Sequence, residues 1–392
     1  MKVNLAAFVL NKQSWSLWFI FIVIISVYVT LLHNTRSVTH HYRDASISWE
    51  KGQALYVTDN NEHGVKGRGF LYLPQAALLF TPFAKLPVSI GEILWRIFSL
   101  GLFAIGLAQL ARLGHPEKNY FSLMTILSIP LAVSSARNGQ MNIIMTAFFM
   151  FAATSLVAEK WWHTGFYLTL SLVLKPIAIV YLLLVGALYK PVRKPLFVCL
   201  IIMLLFPFLT QKPDYVLQQY KDCMQMFVYA SNVGSTHTSY PHFFNMLLQF
   251  NIQLDPMVQN IIRALFALAT CYLGFIAKKR FDPATASVWI FILATGYLAL
   301  FNPRTEYNSY IILAPALGYV IAHSIFSEAN KIKSIILMMI YMGILFGDDL
   351  IQLMNHHHRI TLIAPLATTI FLLMITHQII GRAKHYVSTP PG

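Results

Sequence analysis

The chain has 392 residues, of which 57% are hydrophobic and only 11% are charged, and its formal net charge is +14. This apolar content exceeds what one soluble core of that length needs, so lipid must cover much of the surface. The basic residues lie in short connections between apolar runs, where they indicate membrane topology and argue against a nucleic-acid partner.

Several apolar runs approach the roughly 20 residues that a helix needs to cross a hydrocarbon core, among them residues 15–32, 93–110, 195–209 and 362–380. Their residues are apolar at consecutive positions, whereas the strands of membrane barrels alternate apolar and polar residues. The sequence therefore predicts an all-α, polytopic membrane protein. Because no repeat, linker or low-complexity tract divides the chain, residues 1–392 are expected to form a single transmembrane domain.

The distribution of Lys and Arg predicts the orientation, because basic residues favour the cytoplasmic side. With the N-terminus inside, each cytoplasmic turn carries a basic cluster, and the outer segments are residues 34–70, 137–140, 211–251, 302–306 and 348–359. The predicted number of crossings is about 12.

This orientation requires residues 165–189 to reverse at Lys175-Pro176 as two short helices. A continuous span would bury Lys175 at mid-membrane and place the basic residues 190–194 outside. Pro176 favours the break, since proline disfavours helical conformation at the preceding residue. We therefore expect Lys175 at the outer surface.

The first outer segment carries Asp44 in His40-His41-Tyr42-Arg43-Asp44, shortly after the first apolar run. A carboxylate at a membrane exit is either a general base or cation ligand, or a solvated loop charge. Residues 71–86, which three prolines interrupt, are expected to form an interfacial short helix or a buried loop.

Two later outer segments are also polar. Arg137-Asn138-Gly139-Gln140-Met141-Asn142 concentrates amides and glycine, which offer hydrogen bonds and close backbone approach, or form only a tight turn. Arg304 and Glu306 add a cation and a carboxylate, which serve either a substrate or a mutual structural ion pair.

Asp348-Asp349 and His356-His357-His358 raise the possibility of a metal site, because carboxylate and imidazole groups can share a divalent ion. His237 and His242 lie in another outer loop, a possible lid on the acceptor side. A polar outer loop is stable in water without a metal, so a surface loop is the favoured interpretation. No metal site and no cofactor are predicted.

Together these features resemble glycosyltransferase family 87, a member of the GT-C superfamily. The resemblance rests on the order and spacing of the aspartate at the membrane exit, residues 52–56, Tyr72-x-Pro74, Asn138-Gly139-Gln140-x-Asn142 and Lys175-Pro176. It is strongest over residues 15–190. Family members often have an aromatic or histidine-containing stretch before a late span, whereas this chain has Pro303-Arg304-Thr305-Glu306-Tyr307, which leaves the sugar and the acceptor undefined.

The resemblance implies a GT-C-type fold and an inverting transferase in the inner membrane. Such an enzyme moves a sugar, most often mannose, from a polyprenyl phosphate to a lipid or glycan acceptor on the extracytoplasmic face. Asp44 would be the general base. One carboxylate suffices because the departing polyprenyl phosphate is already an anion, unlike the leaving group in glycoside hydrolysis.

The phosphate of such a donor requires fixed cations, and the candidates on the outer face are Lys175, Arg304 and Arg137. The candidate substrate-binding residues are Tyr72, Asn138, Gln140, Asn142 and Glu306. The expected partners are therefore the lipid-linked donor, its acceptor and membrane lipids.

Two other functions are compatible with many spans. A secondary transporter or flippase is disfavoured because no inverted repeat is visible and the charges gather at one face instead of at mid-depth. An O-antigen-ligase-like enzyme would hold its key charges in one large late outer loop, whereas here they begin in the first loop.

Overall fold

The computed structural model describes residues 12–31, 37–56, 70–114, 119–236, 240–354 and 361–381. Within these ranges every regular element is helical and no strand occurs. The predicted all-α fold is therefore confirmed.

The α-helices are, in chain order, α1 (Lys12–Leu31), α2 (Thr39–Glu50), α3 (Pro74–Ala84), α4 (Val88–Ala111), α5 (Tyr120–Asn138), α6 (Asn142–Val157), α7 (Trp161–Leu174), α8 (Ile179–Leu188), α9 (Arg193–Leu205), α10 (Pro213–Thr236), α11 (Phe243–Leu248), α12 (Pro256–Arg280), α13 (Pro283–Phe301), α14 (Ala314–Phe326), α15 (Lys331–Met354) and α16 (Ile363–Gly381). Short 3₁₀ helices cover Pro176–Ala178, Lys190–Val192, Phe206–Leu209 and Tyr307–Ile312.

Seven helical segments of the described residues are long and apolar enough to cross a bilayer: α1, α4, α5, Lys190–Leu209, α12, α13 and α16. The four apolar runs noted in the sequence all fall on members of this set, which confirms a polytopic membrane protein. The count of about 12 crossings stays a prediction, as does the single domain.

Helices α6 and α13 form the centre of the bundle. Both are apolar on every face and buried along almost their whole length, and they pack against each other. Helix α12, in contrast, exposes large apolar side chains such as Leu265, Leu268 and Tyr272, as a helix in contact with lipid does. The polar residues at the start of α6 are consequently anchored to the most buried part of the fold.

The segment that was predicted to break at Lys175 does so. Helix α7 ends at Leu174, Lys175 has extended backbone angles (φ −153°, ψ 113°), and Pro176 begins the 3₁₀ turn that leads into α8. The proline prevents one continuous helix because it disfavours helical angles at the residue before it.

The chain also reverses at this break. Near the start of α7, a Cβ atom on Gly165 would lie 2.9 Å from the backbone nitrogen of Leu196. Near the end of α8, a Cβ atom on Gly186 would lie 3.6 Å from the side chain of the same leucine. Since both far ends meet one residue, α7 and α8 form a hairpin with Lys175 at its tip, which confirms the predicted pair of short helices.

Residues 71–86, for which the sequence predicts either a short helix or a buried loop, contain the short helix α3. Arg43 of α2 binds its C-terminal end, donating hydrogen bonds to the carbonyl oxygens of Ala84 at 2.6 Å, Phe83 at 3.2 Å and Leu86 at 3.0 Å. A cation at a helix C-terminus satisfies carbonyl groups that have no partner within the helix. Arg43 therefore holds α2 against α3.

Asp348 has a structural role at the start of α16. Its carboxylate accepts hydrogen bonds from the backbone N–H groups of Leu362 at 2.9 Å, Ile363 at 2.7 Å and Ala364 at 3.2 Å, using both oxygens. No group of side chains suited to a metal ion occurs among the described residues. Residues His356–His358 and His237 lie outside those residues.

Replacing Asp348 with alanine is expected to lower the free energy of unfolding by about 1–3 kcal/mol, because three N–H groups at the start of α16, from Leu362 to Ala364, lose their acceptor. Thermal unfolding of purified protein in one detergent measures the loss. Asp349→Ala is the matched control, since this neighbouring carboxylate is exposed. Equal unfolding temperatures for the two variants would contradict the capping role.

Candidate functional site

The turn between α5 and α6 depends on Gly139. This residue ends α5 in a left-handed conformation (φ 67°), which glycine adopts without steric cost. A Cβ atom there would lie 2.4 Å from the Thr39 methyl group and 3.1 Å from Arg96 Nη2. The close approach brings the start of α2 against the turn, where the N–H of Val38 donates to the carbonyl of Asn138 at 2.9 Å.

Four of the predicted site residues form one hydrogen-bonded chain. At the hairpin tip, Lys175 Nζ donates to Asn142 Oδ1. Asn142 Nδ2 in turn donates to Gln140 Oε1 at 2.8 Å, and Gln140 Nε2 donates to Glu306 Oε2 at 3.2 Å. The three polar segments singled out in the sequence therefore meet at one place.

Glu306 is held rigidly at the start of the 3₁₀ helix Tyr307–Ile312. Its side chain accepts from the backbone N–H of Ser309, whose hydroxyl accepts from the Glu306 N–H at 3.2 Å. Asn308 Nδ2 donates to Oε2 at 2.8 Å, in addition to the bond from Gln140. The carboxylate thus has three donors, and its position is defined by all of them.

A cavity of about 520 Å³ opens where the hairpin tip, the α5–α6 turn, α2 and the loop before Tyr307 meet. Ligand pockets commonly have volumes of about 300–1,000 Å³. Five predicted site residues line it: Tyr72, Gln140, Lys175, Arg304 and Glu306. Its apolar wall consists of Val38, Leu71, Pro176, Ile177, Phe227, Ala230 and Pro303.

Two cations face this cavity. Among the described residues, neither Lys175 nor Arg304 belongs to an ion pair, so the alternative of an Arg304–Glu306 pair is not observed there. Burial, assisted by Arg304 and opposed by Glu306, lowers the pKa of Lys175 to about 8. A bound anion would favour the charged forms of both groups and would compensate for their partial burial.

Tyr72 forms part of a fixed group of aromatic side chains beside α2. Its hydroxyl lies 3.0 Å from that of the buried Tyr42, and its carbonyl accepts from Tyr56 Oη at 2.6 Å. Burial raises the pKa of Tyr72 to about 12. The phenol is therefore neutral near pH 7 and presents a hydrogen-bonding group to the cavity.

Four predicted site residues do not line the cavity, and one of them, Asn142, reaches it only through its hydrogen bond to Lys175. Asp44 is exposed on α2, Asn138 is buried at the end of α5, and Arg137 Nε donates to Asn138 Oδ1 at 3.4 Å. The carbonyl of Arg137 also accepts from Arg96 Nη2 at 2.9 Å. These contacts connect Arg137 and Asn138 to the packing around the turn, and their functional roles stay predictions.

Sequence reasoning missed His41, which lines the cavity. The signal was available: within α2 the buried residues Tyr42, Ala45 and Trp49 recur at helical spacing. A helix drawn through these positions places His41 at the edge of the inner face and Asp44 on the outer face. If residues 40–44 are taken as a loop, the sequence does not distinguish an inner face with His41 from an outer face with Asp44.

The model of glycosyltransferase family 87 matches residues 70–303. The matched segment includes Tyr72, the α5–α6 turn and Lys175, and leaves Asp44, Arg304 and Glu306 outside it. No curated protein matches the chain.

Proposed function

The chain belongs to glycosyltransferase family 87 and is a membrane glycosyltransferase, and from this premise we propose that its donor is a polyprenyl-phosphate sugar, most simply a mannose. The observation that carries the proposal is the pair of cations, Lys175 and Arg304, that lie in a cavity with apolar walls and have no ion-pair partner among the described residues. Fixed cations stabilise the phosphate that departs during transfer. The apolar wall suits the first part of a lipid chain.

The proposed reaction is a single displacement with inversion. A hydroxyl group of a lipid or glycan acceptor attacks the anomeric carbon, and the bond from that carbon to the phosphate oxygen breaks. The electron pair leaves with polyprenyl phosphate, beside Lys175 and Arg304, with Arg137 as a third candidate. The resemblance assigns the base function to Asp44, and Asp44→Asn tests it in the variants considered below.

The uncharged polar groups of the site suit the sugar. Tyr72 and Gln140 line the cavity directly, whereas Asn142 stands behind Lys175 as its hydrogen-bond acceptor. We assign Glu306 to sugar or acceptor hydroxyl groups, since it faces the cavity and is fixed by three donors. Asn138 supports the turn that carries them.

The proposed location is the inner membrane, with the cavity on the extracytoplasmic side, as the basic clusters indicate. Single cysteines at the exposed positions Lys51 and Lys194 test it, after Cys199, Cys223 and Cys271 are replaced. A membrane-impermeant thiol reagent added to intact cells should label position 51 and spare position 194. The reverse labelling pattern would contradict the proposed orientation.

The donor class is tested by incubating purified protein with several polyprenyl-phosphate sugars and analysing the polyprenyl phosphate released. Release of polyprenyl phosphate from the mannosyl donor is the expected result, and nucleotide sugars incubated in parallel should release no nucleotide. If no lipid-linked donor is consumed and vesicles containing the protein take up sugar, the transporter or flippase alternative replaces this proposal.

A further inference from the structure

The group that takes the acceptor's proton must reach the reacting hydroxyl. Of the described residues that line the cavity, the titratable ones are His41, Tyr72, Lys175, Arg304 and Glu306. Asp44, to which the resemblance assigns the base function, is on the exposed side of α2. A further residue is therefore needed between the cavity and Asp44.

Four of the five titratable groups are poorly suited to this proton transfer. Arg304 and Lys175 are the cations available to the phosphate. Tyr72 has a pKa of about 12, so its phenol keeps its proton at neutral pH and does not act as a base there. Of the roughly four lone-pair positions of the Glu306 carboxylate, three are directed at Ser309, Asn308 and Gln140, which leaves one for a hydrogen bond from a substrate hydroxyl.

His41 has the position and the chemistry that the others lack. Its side chain is half-buried in the cavity wall, and its backbone N–H donates to the carbonyl of Val38 at 3.1 Å in the first turn of α2. Asp44 follows three residues later, a spacing at which side chains on a helix are neighbours, with Cβ atoms about 5–6 Å apart. Burial and His40 lower the pKa of His41, whereas Asp44 acts in the opposite direction.

We infer that His41 accepts the proton of the acceptor hydroxyl and that Asp44 stabilises the resulting imidazolium from outside the cavity. The inference rests on the proposed function and refines it. The hydroxyl oxygen bonds to the anomeric carbon, its proton moves to an imidazole nitrogen, and the phosphate leaves with the electron pair of the broken bond. The imidazolium then returns the proton to water. His41 is thus the catalytic residue, and Asp44 is a positioning residue that acts through it.

His41→Gln tests the inference directly. Glutamine retains a polar group of similar reach but cannot accept the proton, so turnover should fall by about 100- to 10,000-fold while the KM for the donor changes little. The control is Glu50→Gln, since Glu50 is exposed at the end of the same helix and is not in the cavity wall. Near-normal turnover in His41→Gln, or a loss confined to donor KM, would overturn the assignment.

The pH profile separates a proton acceptor from a residue that only packs. The charged or titratable groups facing His41 are His40 and Asp44 on its own helix and, across the cavity, Tyr72, Lys175, Arg304 and Glu306. Since only neutral imidazole accepts a proton, kcat/KM should fall as the pH drops through the pKa of His41. Asp44→Asn removes the influence that raises this pKa, so the acidic limb should move to lower pH. An acidic limb that persists in His41→Gln, or does not move in Asp44→Asn, contradicts the inference.

A measurement without substrate keeps this test separate from the donor assay. Hydrogen–deuterium exchange at the imidazole carbon, followed by mass spectrometry, gives the pKa of His41 in the intact protein. That pKa should be lower in Asp44→Asn than in the wild type, and an unchanged value would refute the coupling. If the wild type consumes no polyprenyl-phosphate sugar, the proposed function fails. If it does, and His41→Gln is equally active, only the present inference fails.

Discussion

Asp44→Asn is expected to slow sugar transfer by about 100- to 10,000-fold, the range that removal of a general-base function usually costs. Asparagine preserves the size and the hydrogen-bonding shape of the side chain, but it carries no negative charge, so it no longer stabilises the imidazolium that His41 forms when it takes the acceptor's proton. Because Asp44 lies outside the cavity wall, donor affinity should be largely preserved. Turnover, donor KM and the yield of monodisperse protein should be measured on one preparation.

The matched control for Asp44 is Glu50→Gln at the end of the same helix. Glu50 is exposed, and its carboxylate forms an ion pair with Lys85 Nζ at 2.8 Å. Exposed ion pairs of this kind contribute about 0–1 kcal/mol to stability. Its loss should leave turnover nearly unchanged. Near-normal turnover in Asp44→Asn as well would show that Asp44 is a solvated charge, and a reduced yield of folded protein would show a structural role.

Lys175→Ala and Arg304→Ala are each expected to raise the KM for the lipid-linked donor by about 10- to 150-fold. The estimate follows from about 1.5–3 kcal/mol for a charge-assisted hydrogen bond, with about 1.4 kcal/mol for each factor of ten. Both side chains line the cavity, and neither forms an ion pair with another of the described residues. Initial rates over a range of donor concentrations measure the change.

Lys212→Ala is the control for these two variants, since Lys212 is an exposed cation outside the cavity. The pH dependence of donor KM gives a second measurement. Because Lys175 has a pKa of about 8, it loses its charge above pH 8, and the donor KM of the wild type should rise above that pH. Arg304→Ala should retain this rise, and Lys175→Ala should lose it. Donor kinetics that match the wild type in both variants would reject the phosphate-binding role.

The membrane architecture was determined by the sequence alone. Continuous apolar runs can form stable structure in lipid only as helices, because every backbone polar group must be paired within the segment. The break at Lys175 was equally predictable, since a buried lysine and a following proline both oppose a continuous span. These are local properties of composition and backbone geometry, and the hairpin of α7 and α8 agrees with them.

The composition of the cavity, in contrast, was decided by tertiary structure. Gln140, Lys175 and Glu306 are distant in the sequence, and hydropathy indicated only that they share one side of the membrane. Packing of the hairpin tip and the 3₁₀ helix against the buried start of α6 brings them within hydrogen-bonding distance. The rotation of α2 about its own axis, which its buried aromatic residues determine, turns His41 toward the cavity and Asp44 away from it. A helix adopts the rotation that buries its apolar face. For α2 that rotation depends on which other helices cover it, and the sequence of α2 does not specify them.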